Sequence, residues 1–184
     1  MIIIDDFMKK SFQDNLESLL LSNNFPYFLG LDTVSDNSQL SFVDKNTIKA
    51  PQFSHLLVDA GGKVNSNYYY ANVAPIFNKL ENIFEEEYYV ARCKINVNVL
   101  DNRFKNKYHT PHIDNWFEES ITAIYYVNDS DGDTIIFDDD RKIIERISPK
   151  KGRLVYWKGL KFHAKQSPIE NNQRVIINFN LIFI

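Results

Sequence analysis

One cysteine, Cys93, stands in a chain of 184 residues. It excludes an intramolecular disulfide and a cysteine-rich zinc site, and it is compatible with a reducing compartment. No apolar stretch approaches the roughly 18 uninterrupted residues of a membrane span. Glycine and proline are nowhere gathered with serine into a linker, and internal repeats and low-complexity blocks are lacking too. The net charge of −3 is too close to neutral to point to a polyanionic partner. Short basic clusters, Lys105-Asn106-Lys107 and Lys150-Lys151-Gly152-Arg153, read as solvated turns, because nucleic-acid binding needs many phosphate contacts on one surface. The opening Met1-Ile2-Ile3-Ile4-Asp5-Asp6 has only a short apolar run and no basic leader, so no signal peptide is expected. These absences predict a cytoplasmic protein that engages neither membrane nor nucleic acid.

What is present is a foldable chain. Hydrophobic residues make up 44% and aromatics 14%, which excludes a disordered or collagen-like chain. The length suits one buried core, so a single domain over 1–184 is expected. Phe12, Leu16, Leu19 and Leu20 recur at helical spacing, as do Val73, Ile76, Phe77, Leu80, Ile83 and Phe84. Pro75 falls near the start of the second stripe, where a missing N–H does no harm. From residue 88 the period becomes two. Ala91, Cys93, Ile95, Val97 and Val99 share one strand face, with Arg92, Lys94, Asn96 and Asn98 on the other. Val175, Ile177, Phe179, Leu181 and Phe183 repeat the pattern against Arg174, Asn178 and Asn180. Further strands are predicted at 121–127, 134–137, 143–147 and 153–157, separated by polar turns at 128–132 (read as a hairpin turn), 138–140 and 149–152. The order predicts an α+β, mainly β fold: a helical part over about 1–87, then a sandwich or jelly roll over about 88–184.

The segment His109-Thr110-Pro111-His112-Ile113-Asp114 carries the chemistry. On an extended strand, residues two apart point the same way, so His112 and Asp114 would converge on one face. His163 is the best third ligand. Two histidines and a carboxylate on one face of an octahedron leave three positions open, as a non-haem iron(II) oxygenase requires. His109 is an odd separation from His112 and should face away, and it and His55 read as structural. Arg174, on the same face as Asn178, can take a dicarboxylate end-on through paired charge-assisted hydrogen bonds. Asp129-Ser130-Asp131-Gly132-Asp133 lacks the glycine position and flanking helices of a calcium loop.

Together these segments resemble the 2-oxoglutarate/iron(II) oxygenase superfamily, in its prolyl-4-hydroxylase-like branch and especially its small phage-type members. The resemblance runs from Ile3-Ile4-Asp5-Asp6-Phe7-Met8 through Arg92-Cys93-Lys94-Ile95-Asn96, His112-Ile113-Asp114, Ile124-Tyr125-Tyr126-Val127-Asn128 and His163 to Arg174-Val175-Ile176-Ile177-Asn178-Phe179. It implies a double-stranded β-helix (jelly roll) with helices packed on the larger sheet. It implies Fe(II) held by His112, Asp114 and His163, and 2-oxoglutarate as co-substrate with its distal carboxylate on Arg174. Tyr126 would assist that carboxylate, and Asn96 and Arg92 match polar positions lining the cavity. Dioxygen is then consumed, and a C–H bond of a peptide side chain or small metabolite is hydroxylated with release of succinate and CO2. Asp114 departs from the halogenating relatives, which carry a small residue there. Asn180 stands where nucleic-acid demethylases carry a second arginine. The alternatives are a non-enzymatic jelly-roll protein with a ligand-binding or structural metal, and zinc hydrolysis, for which no general base is evident. Loops at 30–50, 61–70 and 101–108 are expected to frame the entrance.

Overall fold

Alternating apolar and polar side chains become strands because each face of a sheet then meets a different environment. The computed structural model describes residues 1–31, 34, 40–114 and 117–184. In chain order these form β1 (Ile2–Ile4), α1 (Lys10–Leu20), β2 (Phe28–Gly30), β3 (Gln52–Val58), α2 (Ala74–Glu81), β4 (Tyr88–Val99), β5 (Ser120–Tyr126), β6 (Thr134–Phe137), β7 (Ile143–Ile147), β8 (Leu154–Lys158), β9 (His163–Lys165) and β10 (Gln173–Phe183). A seven-stranded sheet runs β1-β8-β5-β10-β4-β3-β2 and a three-stranded one runs β7-β6-β9. This is the jelly roll expected, with helices on the larger sheet.

The apolar parity of the long strands decides which face the helices cover. Leu16 and Leu20 of α1 and Ile76, Phe77 and Leu80 of α2 pack with Cys93, Ile95, Val97, Val175, Ile177, Phe179 and Leu181 in one buried cluster. Each aliphatic or aromatic side chain so buried contributes roughly 1.5–3 kcal/mol relative to exposure. The opposite face carries the polar series of β4 and β10 and looks toward the smaller sheet. Register aligns them: Arg174 lies across from Asn98, Ile176 from Asn96, Asn178 from Lys94 and Asn180 from Arg92.

Local features depart from simple alternation. The β4–β10 register shifts where Asn180 pairs with Arg92 and Leu181 with Val90, leaving Ala91 as a bulge. One extra residue reverses parity, so Val90 joins the core face in place of Ala91. The segment after β5 is not a hairpin turn, because β5 lies in the larger sheet and its successor β6 in the smaller. Instead Asp131 accepts backbone N–H bonds from Ile169, Glu170 and Asn171 at 2.8–3.0 Å, tying this crossing to the chain before β10. The second apolar stripe is shared between a π turn at Tyr69–Val73 and α2, while Ile83 and Phe84 lie past the helix end, Ile83 exposed and Phe84 packed on the core. Residues 1–87 supply three strands as well as the two helices. No helix is long and apolar enough to cross a membrane among the described residues.

Candidate metal centre

His112 and His163 meet as partners in an isolated antiparallel bridge, each donating its N–H to the other's carbonyl at 2.9 Å. This bridge, rather than parity along one strand, brings the ligands together, since Asp114 sits at a bend and 109–114 form no continuous strand. His163 opens β9, held against Ile136 of β6. The imidazole rings are 4.6 Å apart between centroids. His112 Nε2 is 3.4 Å from Asp114 Oδ1, and His163 Nε2 is 3.6 Å from Oδ2. One donor atom from each of the three residues lies within 4.8 Å of the others.

The protonation pattern suits a cation. His112 Nδ1 donates to the carbonyl of Thr110 at 3.0 Å, and His163 Nδ1 to that of Lys161 at 3.2 Å. A carbonyl only accepts, so both Nδ1 atoms carry hydrogen, and in the neutral ring the lone pair then lies on Nε2, the atom that faces Asp114. Asn178 and Asn180 donate to Asp114 Oδ2 at 2.9 and 3.0 Å. Burial favours the neutral acid at Asp114. His163, His112 and the bond from Asn178 outweigh it and hold the carboxyl well below its usual range. Burial pushes His163 down to about 4, against the opposing pull of Asp114, which keeps its imidazole neutral and ready to ligate. The Trp157 ring meets it edge-on at 5.1 Å.

Beside these ligands lies a cavity lined by Gln52, Arg92, Lys94, Asn96, Thr134, Lys165, Arg174 and the metal group, among others. Arg174 is 1% exposed. Its Nη2 donates to Thr134 Oγ1 at 2.7 Å, while Nε and Nη1 have no partner. Among the described residues no carboxylate stands within ion-pair distance of it. A guanidinium stays charged when buried, and leaving it uncompensated is costly unless an anion completes it. Asn98, across from it in register, is 1% exposed with both side-chain polar atoms unpaired.

The sequence-derived residues are distributed unevenly around this hollow. His112, Asp114, His163, Arg174 and Asn96 all line it, and Asn96 Oδ1 is buried without a partner. Tyr126 lies behind the wall. Its hydroxyl donates to Thr134 Oγ1 at 2.6 Å, and the Arg174 guanidinium sits 5.6 Å from its ring. His109 bonds Ser167 and stacks on Phe104; His55 bonds Pro26 and Ser66. Thr134 and Lys165 escaped the sequence reading, and Asn98 and Asn180 entered it only as polar strand positions continuing the parity of Asn96 and Asn178. Lys165 Nζ donates to Gln52 Oε1, and burial, with the charges of Arg174 and Lys94, pulls its pKa well down. Residues 61–70 and 101–108 supply nothing to the described lining; Tyr69 instead belongs to the core under the helices. Part of the 30–50 loop lies outside the described residues. Its 40–42 portion runs beside the ligands, with Ile113 donating to Leu40 and Phe42 to Pro111 at 2.8 and 3.1 Å.

Comparison with known proteins agrees with this chemistry. Residues 97–182 match the family model of the 2OG-Fe(II) oxygenase superfamily. None of the curated proteins compared matches the sequence. Among solved structures, an oxidoreductase of the 2OG-Fe(II) oxygenase family from Burkholderia pseudomallei superposes with a TM-score of 0.63 at 13% identity, covering 97% of this chain and 84% of that one. A Trichoplax adhaerens prolyl hydroxylase, in complex with a hypoxia inducible factor peptide fragment, gives 0.60 at 16% identity, covering 100% and 82%. The viral collagen prolyl hydroxylase of Paramecium Bursaria Chlorella virus-1, in its 2OG complex, gives 0.56 at 13%, covering 98% and 95%. The match spans the metal group and Arg174, and the fold over the remaining chain is that of these prolyl hydroxylases.

Proposed function

We propose that this chain is an Fe(II)/2-oxoglutarate-dependent dioxygenase that hydroxylates a C–H bond of a peptide side chain or a small metabolite. The observation that carries this is the buried, uncompensated Arg174 guanidinium opening into the same cavity as a His/Asp/His group with Nε2 lone pairs. The superfamily match over 97–182 supports the same chemistry. A purely structural metal site would have no use for a charged anchor in that position.

The residues fit both groups that this chemistry needs. His112, Asp114 and His163 would hold iron(II), with Asn178 and Asn180 keeping the carboxylate ionised and turned inward. Arg174 would take the distal carboxylate of 2-oxoglutarate through its unpaired Nε and Nη1, assisted by Thr134. Asn96, which lines the cavity with its Oδ1 unpartnered, would contribute a polar contact along its length. Tyr126 acts one step back by orienting Thr134 and lying against the guanidinium. When bound together, iron(II), 2-oxoglutarate and dioxygen supply the oxidising power, with succinate and CO2 as co-products. Ile124, Ala164 and Ile176 supply the apolar part of an otherwise polar lining.

A single domain over 1–184 is part of this reading, supported by a larger sheet that takes strands from both halves of the chain. Cytoplasmic residence is proposed from the lone cysteine, which is buried and free.

Anaerobic reconstitution with iron(II), followed by oxygen and 2-oxoglutarate with succinate measured, tests the assignment. His112→Ala is expected to abolish succinate release and Arg174→Ala to weaken 2-oxoglutarate binding. Equal turnover in wild type and His112→Ala would remove the proposal.

A further inference from the structure

Two cations on the cavity face of β4 are left over once Arg174 and the metal group have been given their ligands. Arg92 and Lys94 both line the hollow, and neither makes a hydrogen bond or ion pair with any described residue. Register fixes where they stand. Lys94 lies opposite Asn178 and Arg92 opposite Asn180, the two asparagines that grip Asp114. Arg174 is opposite Asn98, four residues back along β10 from Asn178, or roughly 13 Å at the rise of a strand. The two cationic sites are therefore at different levels of the cavity, one at its dicarboxylate end and one beside the metal ligands.

Charge balance says what the second site is for. On the oxygenase reading, on which this inference rests, a doubly charged co-substrate and Asp114 are cancelled by a divalent cation and Arg174. Lys165, the third cation of the lining, is bonded to Gln52 Oε1 and is held toward its neutral form by burial, so Lys94 and Arg92 remain as two adjacent positive charges in a part-buried wall. Like charges so placed disfavour each other unless an anion joins them. We infer that the substrate oxidised here carries a carboxylate, held by Lys94 and Arg92 beside the metal centre. That carboxylate belongs either to a free acid or to an acidic side chain of a peptide. Burial and the charge of Arg92 both pull the Lys94 pKa down, with Asp114 opposing them, and a bound carboxylate would relieve that strain. The paired ammonium and guanidinium, two residues apart on one strand face, would grip it with charge-assisted hydrogen bonds.

Affinity selection with mass-spectrometric readout tests this without turnover. The iron(II)–2-oxoglutarate protein is held under nitrogen and offered matched pairs in two arms. One arm holds free carboxylic acids against their amides; the other holds peptides containing Asp or Glu against the same peptides with Asn or Gln. In one arm the acids should be retained roughly tenfold or more over their partners, as bonds to charged groups imply, and the responding arm identifies the source. Lys94→Gln and Arg92→Gln should bring that ratio close to one, and Lys94→Arg should keep it, with thermal melts confirming the fold. Equal retention of acids and amides by wild type would leave Lys94 and Arg92 as solvated cations and overturn the inference. So would variants whose only change is a weaker grip on 2-oxoglutarate. Failure of the iron(II) protein to bind 2-oxoglutarate at all would instead remove the oxygenase reading, and this one with it.

Discussion

Asp114 is ionised because its neighbours outweigh its burial, and that makes the carboxylate sensitive to single substitutions around it. Asn178→Ala or Asn180→Ala removes one of the two donors to Oδ2. Each is expected to weaken metal binding roughly 10–100-fold, the usual effect of losing a partner that orients a ligand, as read by metal titration under nitrogen. Unchanged affinity in both would mean that the asparagines merely fill space. Arg174→Gln should raise the 2-oxoglutarate dissociation constant roughly 10–100-fold, since bonds to a charged group are worth about 1.5–3 kcal/mol, while leaving metal affinity in place. At this scale the sequence was informative where residue types were rare and chemically committed. With four histidines in the chain, spacing to a carboxylate singled out His112, while His163 was the best remaining candidate and the bridge that joins the two was not legible. Thr134 was not legible, because its bond to Arg174 joins side chains forty positions apart across two sheets, and no local pattern announces a hydroxyl in that place.

Strand parity made the long elements legible, and local irregularities hid the rest. The polar faces of β4 and β10 were readable from alternation alone. The Ala91 bulge was not, since one extra residue leaves the composition unchanged while turning Val90 inward. The crossing between β5 and β6 looked like a hairpin because its turn residues are the same ones a hairpin uses. Gly132 in that crossing has a structural duty. A Cβ there would stand 2.4 Å from the Gln166 carbonyl oxygen, 3.0 Å from Pro168 N and 3.1 Å from Arg174 Cδ. Backbone cannot yield as a flexible side chain can, so Gly132→Ala should cost about 1–3 kcal/mol of stability. The displaced Arg174 should also weaken 2-oxoglutarate binding. Leu80→Ala provides the contrast. It empties a fully buried site in α2 on the far face of the sheet and should cost about 2–5 kcal/mol with 2-oxoglutarate affinity unchanged. Urea melts beside ligand titrations separate the two. If both variants lose stability and affinity in proportion, coupling through Gly132 is not specific.

Across the whole molecule, the two ends of the chain are stitched into one sheet, and the seam at β1 is electrostatic as well as hydrogen-bonded. β1 pairs antiparallel with β8, Ile3 across from Val155. Just beyond it, Asp5 Oδ1 accepts from Arg153 Nε at 2.7 Å and Oδ2 from Lys150 Nζ at 2.9 Å. A short edge strand of this kind was invisible to periodicity, because three isoleucines fit any apolar pattern. The hydrogen bonds from Arg153 and Lys150 lower the Asp5 pKa from 3.8 to about 2. A carboxyl whose folded pKa is depressed adds stability that is fully present above the unfolded value and is lost as pH falls through the folded one. The window therefore opens near 3.8 and closes near 2. The carboxylate is 38% exposed, so solvent screening reduces its contribution to at most about 1 kcal/mol. Asp5→Asn should accordingly lower the urea midpoint slightly at neutral pH. The gap from wild type should then narrow as the pH is taken below about 4, where the wild-type carboxylate begins to lose its advantage. A gap that stays constant from pH 7 to pH 3 would show that the seam is held by the backbone ladder of β1 and β8 alone, with Asp5 a bystander at its end.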